Sequence, residues 1–252
     1  MPCKWMPQLC LILCLAGSAW PDEALRVGIP KEGYPPYIVV EGNQVSGIMI
    51  DTLQSAANVS YFQLVYMFLP EVRSRAMLAS NEIDLRMESP SFVDDPGDYL
   101  WSEPITSIKD MFIFHRNSEN VFEKDETMEG AVIHTHLGYS YPTLQTLFDR
   151  GIIIRKDFNT EQAMLVNLIR DNVHSKRAAV MDQNVAKYLM EKDPVLKTDL
   201  RISRRHVDYN YLHFQFPKNP KMKMVVNKLN LEIRKLKRSG RVDKIIKKAI
   251  GE

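Results

Sequence analysis

Short apolar segments alternate with amphipathic stretches along most of this 252-residue chain, and that alternation limits what it can fold into. A chain that repeats strand, helix, strand covers each strand with its own helix and builds an α/β architecture with largely parallel sheets. In the first half the strand segments are 25–29, 61–68, 83–87 and 110–114, with helical stretches at 47–58 and 71–80. A second α/β set begins near residue 130, with strand 131–136, a helix opening near Pro142, strand 152–154 and a helix after Thr160. Strand 178–181 and a helix over 183–190 complete it. Two extended stretches, 112–116 and 213–216, are expected to cross between the sets. Apolar residues at Met222, Val225, Val226, Leu229, Ile233 and Leu236 follow helical spacing up to Gly240, which predicts a C-terminal helix whose stripe covers a core.

The N-terminus carries one cation, Lys4, then an apolar run from Leu9 to Ala16, then the small residues Gly17, Ser18 and Ala19. This pattern is expected of a secretory signal cleaved after residue 19, which places the mature chain in the periplasm, beginning near Trp20. The run is far shorter than the ~20 residues of a membrane span. All three cysteines, Cys3, Cys10 and Cys14, lie inside the signal, so cleavage leaves no thiol for disulfide or thiolate chemistry. Leu13 stands where a lipoprotein signal needs a small residue, so no lipid anchor is expected. Lys and Arg number 33 against 31 Asp and Glu, and the signal removes only Lys4. A balance so near neutral has no electrostatic footprint for nucleic acid.

From residue 25 to residue 104 several motifs follow one another in a fixed order. They are Leu25-Arg26-Val27-Gly28-Ile29, then Gly33-Tyr34-Pro35-Pro36-Tyr37, then Gly47-Ile48-Met49-Ile50-Asp51-Thr52-Leu53. Ala76 through Asp84 and Trp101-Ser102-Glu103-Pro104 complete the series. Together they resemble the first lobe of the bacterial extracellular solute-binding proteins of family 3, the periplasmic subunits of polar amino-acid ABC importers. The resemblance implies a two-lobed, type II periplasmic-binding fold of the α/β class, with lobes joined by two hinge strands. Lobe 1 would be residues 24–114, completed by 214–252, with lobe 2 at 115–213. It implies a monomer that captures a small polar solute of amino-acid-like character between its lobes for an ABC permease or a membrane sensor, with no cofactor and no catalysis. The family's Thr-x-x-Arg, whose guanidinium holds the ligand carboxylate, is missing. Counting from either side puts Asp95 or Pro96 at the Arg position, and neither can pair with a carboxylate. Standard L-amino acids are therefore expected to bind weakly, unless Arg86 has taken over.

The same resemblance selects candidate ligand residues. Tyr34 and Tyr37 flank the two prolines where the family places an aromatic over the ligand, although Tyr37 could equally cap a core. Arg86 and Glu88 are two apart and share a strand face. Unpaired charge is costly to bury, so they must meet each other, a partner, or the cleft. Ser89 follows as a hydroxyl donor. His136-Leu137-Gly138-Tyr139-Ser140 resembles the strand-Gly-Thr-Thr segment whose helix end receives an anionic group. Gly138 allows close approach, Tyr139 reshapes the pocket, and Ser140 keeps the hydroxyl or caps the helix. Asp182 matches the strand-end acid that pairs with a ligand ammonium, and it too could be a helix cap. An acid retained without the Arg points to a ligand with a cationic or donor group and no orthodox carboxylate contact. His134 and His136 share a strand face, but two imidazoles without a third placed ligand read as surface or cleft residues, with no metal. Two rivals remain: a dehydratase-like enzyme with Glu88 and Asp182 opposed as acid and base, and an accessory protein that binds nothing.

Overall fold

The computed structural model describes residues 24–42, 44–122, 124–170 and 174–251, so the expected signal segment lies outside the described residues. In chain order the first elements are β1 (Ala24–Pro30), β2 (Val39–Glu41), β3 (Gln44–Ser46), α1 (Ile48–Val59), β4 (Gln63–Leu69), α2 (Glu71–Ala79) and β5 (Leu85–Glu88). Then come β6 (Tyr99–Trp101), β7 (Thr106–His115), β8 (Val132–His136), α3 (Pro142–Asp149), β9 (Ile154–Phe158), α4 (Glu161–Arg170) and β10 (Arg177–Asp182). The last are α5 (Gln183–Lys192), α6 (Pro194–Asp199), β11 (Leu200–Pro217), α7 (Pro220–Arg238) and α8 (Arg241–Ile250).

β1 lies between β4 and β5 with parallel pairing on both sides, and β8 lies in the same way between β9 and β10. These are the two α/β sets read in the sequence, each with its helices. β11 links the two sets. Its end, His213–Gln215, pairs with β5, while Leu212 back to Leu200 pairs with β7, which in turn pairs with β10. One path of strands therefore runs β4-β1-β5-β11-β7-β10-β8-β9. The first crossing is also earlier than expected. Asp110–Ile113 pair with Asp182–Ala179 of β10, so 112–116 sits inside the second set. The chain crosses at 102–105, where Ser102 and Ile105 donate backbone hydrogen bonds to Phe214 and Leu212 of β11.

Apolar packing is continuous between the sets. One cluster joins Leu25, Val27, Ile29 and Leu85 to Ile48, Met49 and Leu53 of α1, to Met164, Leu165 and Leu168 of α4, and to Met181 and Val185. The stripe of α7, from Met222 to Ile233, closes its outer side as its spacing predicts. Gly240 stops α7 with φ +70 and starts α8, which the sequence reading did not separate. A second cluster, with Phe112, Phe114, Phe122, Ile133, Leu144 and Val180, belongs to the second set alone. Among the described residues no helix is long and apolar enough to cross a membrane.

Two local features aim side chains at the space between the sets. At Gly47, φ is +106 and an added Cβ would meet the carbonyl oxygens of Pro36 and Tyr37 at 2.7 Å. The same carbonyls accept from the first N–H groups of α1, at Ile48 and Met49, so the tyrosine loop is fixed to the helix start. On the other side Thr160 Oγ1 accepts from Ala163 N and caps α4, which sets Glu161 in the first turn.

Candidate functional site

Where the two sets face each other there is a cavity of about 70 Å³. The first set contributes Tyr34, Glu71, Arg86, Glu88 and Phe92 to its wall; the second contributes Asp110, His136, Tyr139, Ser140, Tyr141 and Glu161. A wider space of about 310 Å³ adjoins it, and Pro30, Leu69, Glu71, His136, Tyr139 and Glu161 line both.

Arg86 is buried and its guanidinium serves two acids, with Glu71 at 2.5 Å and Glu88 at 3.0 Å. Gln215 accepts from the same group at 3.4 Å. Burial works to lower the Arg86 pKa, but Glu88 and Glu71 together hold it raised. Burial pushes the Glu88 carboxyl up against the pull of Arg86, and a backbone N–H from Ser89 also steadies it. Arg75, at the rim, pairs with Glu71 and donates to the carbonyl of Gly138 at 2.9 Å.

The opposite wall has less compensation. Asp110 is pushed up to about 8, first by burial and then by the neighbouring Asp182 and Asp208. Glu161 is only 8% exposed, and its Oε1 has no hydrogen-bond partner. Burial raises its carboxyl, with His136 and the Tyr139 hydroxyl working the other way. The rings are tightly grouped: Tyr34 stacks on Tyr37 at 5.5 Å and meets Tyr139 edge-on at 6.1 Å, while His136 stacks on Tyr139 at 4.0 Å.

Of the ten residues selected from sequence, Tyr34, Arg86, Glu88, His136, Tyr139 and Ser140 line the cavity. Tyr37, Ser89, Gly138 and Asp182 do not. Asp182 is fully buried and saturated: Oδ1 accepts from the Tyr37 hydroxyl, Asn184 N and Val185 N, and Oδ2 from Lys109 N. It caps α5, which removes the acid–base pair drawn between Glu88 and Asp182. Tyr37 spends its hydroxyl on that bond and on an amide hydrogen from Asn184. Ser89 Oγ accepts from Ser91 N in the turn after β5. Gly138 has φ +86, and an added Cβ would lie 3.0 Å from Val72 Cγ2, so it is a contact between the loop and α2. The expected anion site at the start of α3 loses two donors: Tyr139 N–H turns back to the His136 carbonyl, and Pro142 has none. Asp95 and Pro96 lie outside the cavity wall. His134 is fully buried, its Nδ1 3.1 Å from the Met164 carbonyl, which corrects its reading as a surface or cleft residue. No group of three or more potential metal ligands occurs among the described residues.

Glu71, Asp110, Tyr141 and Glu161 were missed. Asp110 had a signal, an acid directly before the apolar run Met111–Phe114. Glu71 and Glu161 looked like ordinary first-turn acids of helices.

The family model of the bacterial extracellular solute-binding proteins, family 3, matches residues 25–252. The chain belongs to that family. This family-3 protein has the two-lobed fold of solved structures at low identity. A mutant of ArgBP from T. maritima superposes with TM-score 0.75 at 19% identity, covering 91% of this chain and 96% of that one. The amino-acid ABC transporter substrate-binding protein AbpA from Streptococcus pneumoniae, bound to L-arginine, gives 0.74 at 18%, covering 91% and 95%. A histidine kinase sensor domain with similarity to periplasmic binding proteins gives 0.75 at 17%, covering 90% and 96%. None of the curated proteins matches this family-3 chain. Membership makes it a solute-binding protein that acts outside the cytoplasm.

Proposed function

We propose that this protein is exported by a signal at residues 1–19, works in the periplasm, and holds one small polar solute in the cavity described above. The observation that carries this reading is the cavity wall itself, where buried ionisable groups from both strand sets face a common space. Such groups are costly to bury, and a closing cleft that meets a polar solute is a use for them. The lobes are inferred to divide at the two crossings, 102–105 and 212–213, with Tyr34, Arg86 and Glu88 on one and His136, Tyr139 and Ser140 on the other. Delivery to an ABC permease is supported by the kinship with transporter subunits, and delivery to a sensor by the kinase sensor domain of the same fold. We take the protein to act as a monomer without catalysis.

The test is a thermal-shift screen of the chain from Trp20 onward against amino acids, amines, sugars and short peptides. A true ligand at 100 times its Kd stabilises by about 2.7 kcal/mol, which for a chain of this size is a shift of roughly 5 to 10 °C. A panel in which no class moves the melting point would overturn the binding reading. Intact-mass measurement of exported protein that still contains Lys4 would overturn the signal.

A further inference from the structure

The cavity holds more buried acid than the fold neutralises. Four carboxyl groups line it, against the buried Arg86, the rim residue Arg75 and the imidazole of His136 beside Glu161. Both arginines engage Glu71, and Arg86 also engages Glu88, so this side of the cavity is balanced internally. Asp110 and Glu161 are left over. Asp110 has Asp182 and Asp208 for neighbours, and Glu161 Oε1 is a buried acceptor with no donor. A buried carboxylate in that position is stable only if it holds a proton or meets a cation.

The shape of the site narrows which cation. Among the described residues no group of three or more His, Cys, Asp or Glu could hold a metal ion, so the geometry does not favour a metal cation. Tyr34, Phe92, Tyr139 and Tyr141 fill much of the remaining wall, and their rings suit both methylene groups and the faces of ammonium ions. Nothing equivalent awaits a carboxylate. Arg86 is already shared between two acids, and the start of α3 has lost two of its donors.

We propose that the cavity takes a small aliphatic diamine, a dication without a carboxylate, whose two ammonium groups neutralise Glu161 and Asp110 while its methylenes lie against the tyrosine rings. This rests on the solute-binding reading above and specifies its ligand.

Calorimetric titration with matched pairs that differ only by a carboxylate tests it: 1,4-diaminobutane against L-ornithine, 1,5-diaminopentane against L-lysine, and agmatine against L-arginine as a longer dicationic probe. The decarboxylated member of the diamine pairs is expected to bind at least tenfold tighter. Glu161→Gln, which keeps the side-chain shape, is expected to weaken the diamine at least tenfold, with a melting temperature in the absence of ligand no lower than the parent's. If that variant fails to fold, the paired titration on the unsubstituted protein decides alone. Equal or tighter binding of the amino acids, or an unchanged diamine affinity in the folded variant, overturns the diamine and leaves solute binding intact. If no pair binds but a sugar or peptide does, the inference falls by itself; if no class of solute binds, the solute-binding reading falls with it.

Discussion

On the wall built by β5 and α2, two carboxylates share one buried guanidinium; on the wall built by β7 and α4, Asp110 and Glu161 have no such cation. The acids of both walls are largely removed from solvent, so burial alone does not separate them. The difference is whether the fold supplies the opposite charge. A buried acid beside a buried guanidinium is part of the architecture, and removing either partner strands the other. An acid without one has its carboxyl pushed up by burial.

The largest expected effect breaks the first wall. Arg86→Met leaves Glu88 without its cation and Glu71 with only the rim residue Arg75, and chemical denaturation at pH 7 should show a loss of about 3–5 kcal/mol. The loss should shrink as the pH falls, because Glu88 is already raised by burial and readily takes a proton. A loss under 1 kcal/mol at pH 7 would mean that the wall is wetter than its geometry implies.

Asp110→Asn sharpens the contrast with the opposite sign. Folding raises the Asp110 carboxyl from 3.8 to about 8, so the folded chain holds a proton that the unfolded chain has released. The stabilisation this gives is complete below about pH 4 and is lost as the pH climbs through about 8. At pH 9 the Asp110→Asn protein should be more stable than the parent, by up to about 6 kcal/mol. The gap should narrow on acidification and close near pH 4, and two parallel stability curves across that range would sink the assignment.

Smaller effects are expected at the contacts between the walls. Gly138→Ala forces a Cβ onto a residue with φ +86, against Val72. It should cost about 1–2 kcal/mol and weaken ligand binding as well as the fold. Tyr37→Phe removes one of four donors to Asp182 and should cost about 1 kcal/mol, with little change in affinity because Tyr37 does not line the cavity. A tenfold affinity loss in that variant would return Tyr37 and Asp182 to the ligand site.

The strand–helix alternation made most of the architecture legible, because a parallel strand buried on both faces and a striped helix such as α7 each leave a periodic signature. β11 left none over residues 200–212. There Arg201, Arg204, Arg205 and His206 interrupt the apolar pattern, and the register with β7 shifts twice, between Ile202 and His206 and between His206 and Asp208. The site was partly visible for the same kind of reason. Arg86 and Glu88 stood out as charges at the end of a strand, whereas Glu71 and Glu161 sat at helix starts, where acids are common for local reasons. Asp182 satisfied both a family pattern and a capping pattern, and only three-dimensional placement separates the two.

The wall common to the two cavities carries Glu71 and Glu161 beside the rings of His136 and Tyr139. A solute that moves from the wider space into the smaller one meets that wall first, so selection by charge begins on the way in. Where Glu161 is ionised a diffusing cation is drawn toward it, since Glu71 beside it is already paired with Arg75 and Arg86, and this affects the rate of association more than the lifetime of the complex. The capture rate of a cationic solute should therefore fall as salt is added, while its release rate stays nearly level.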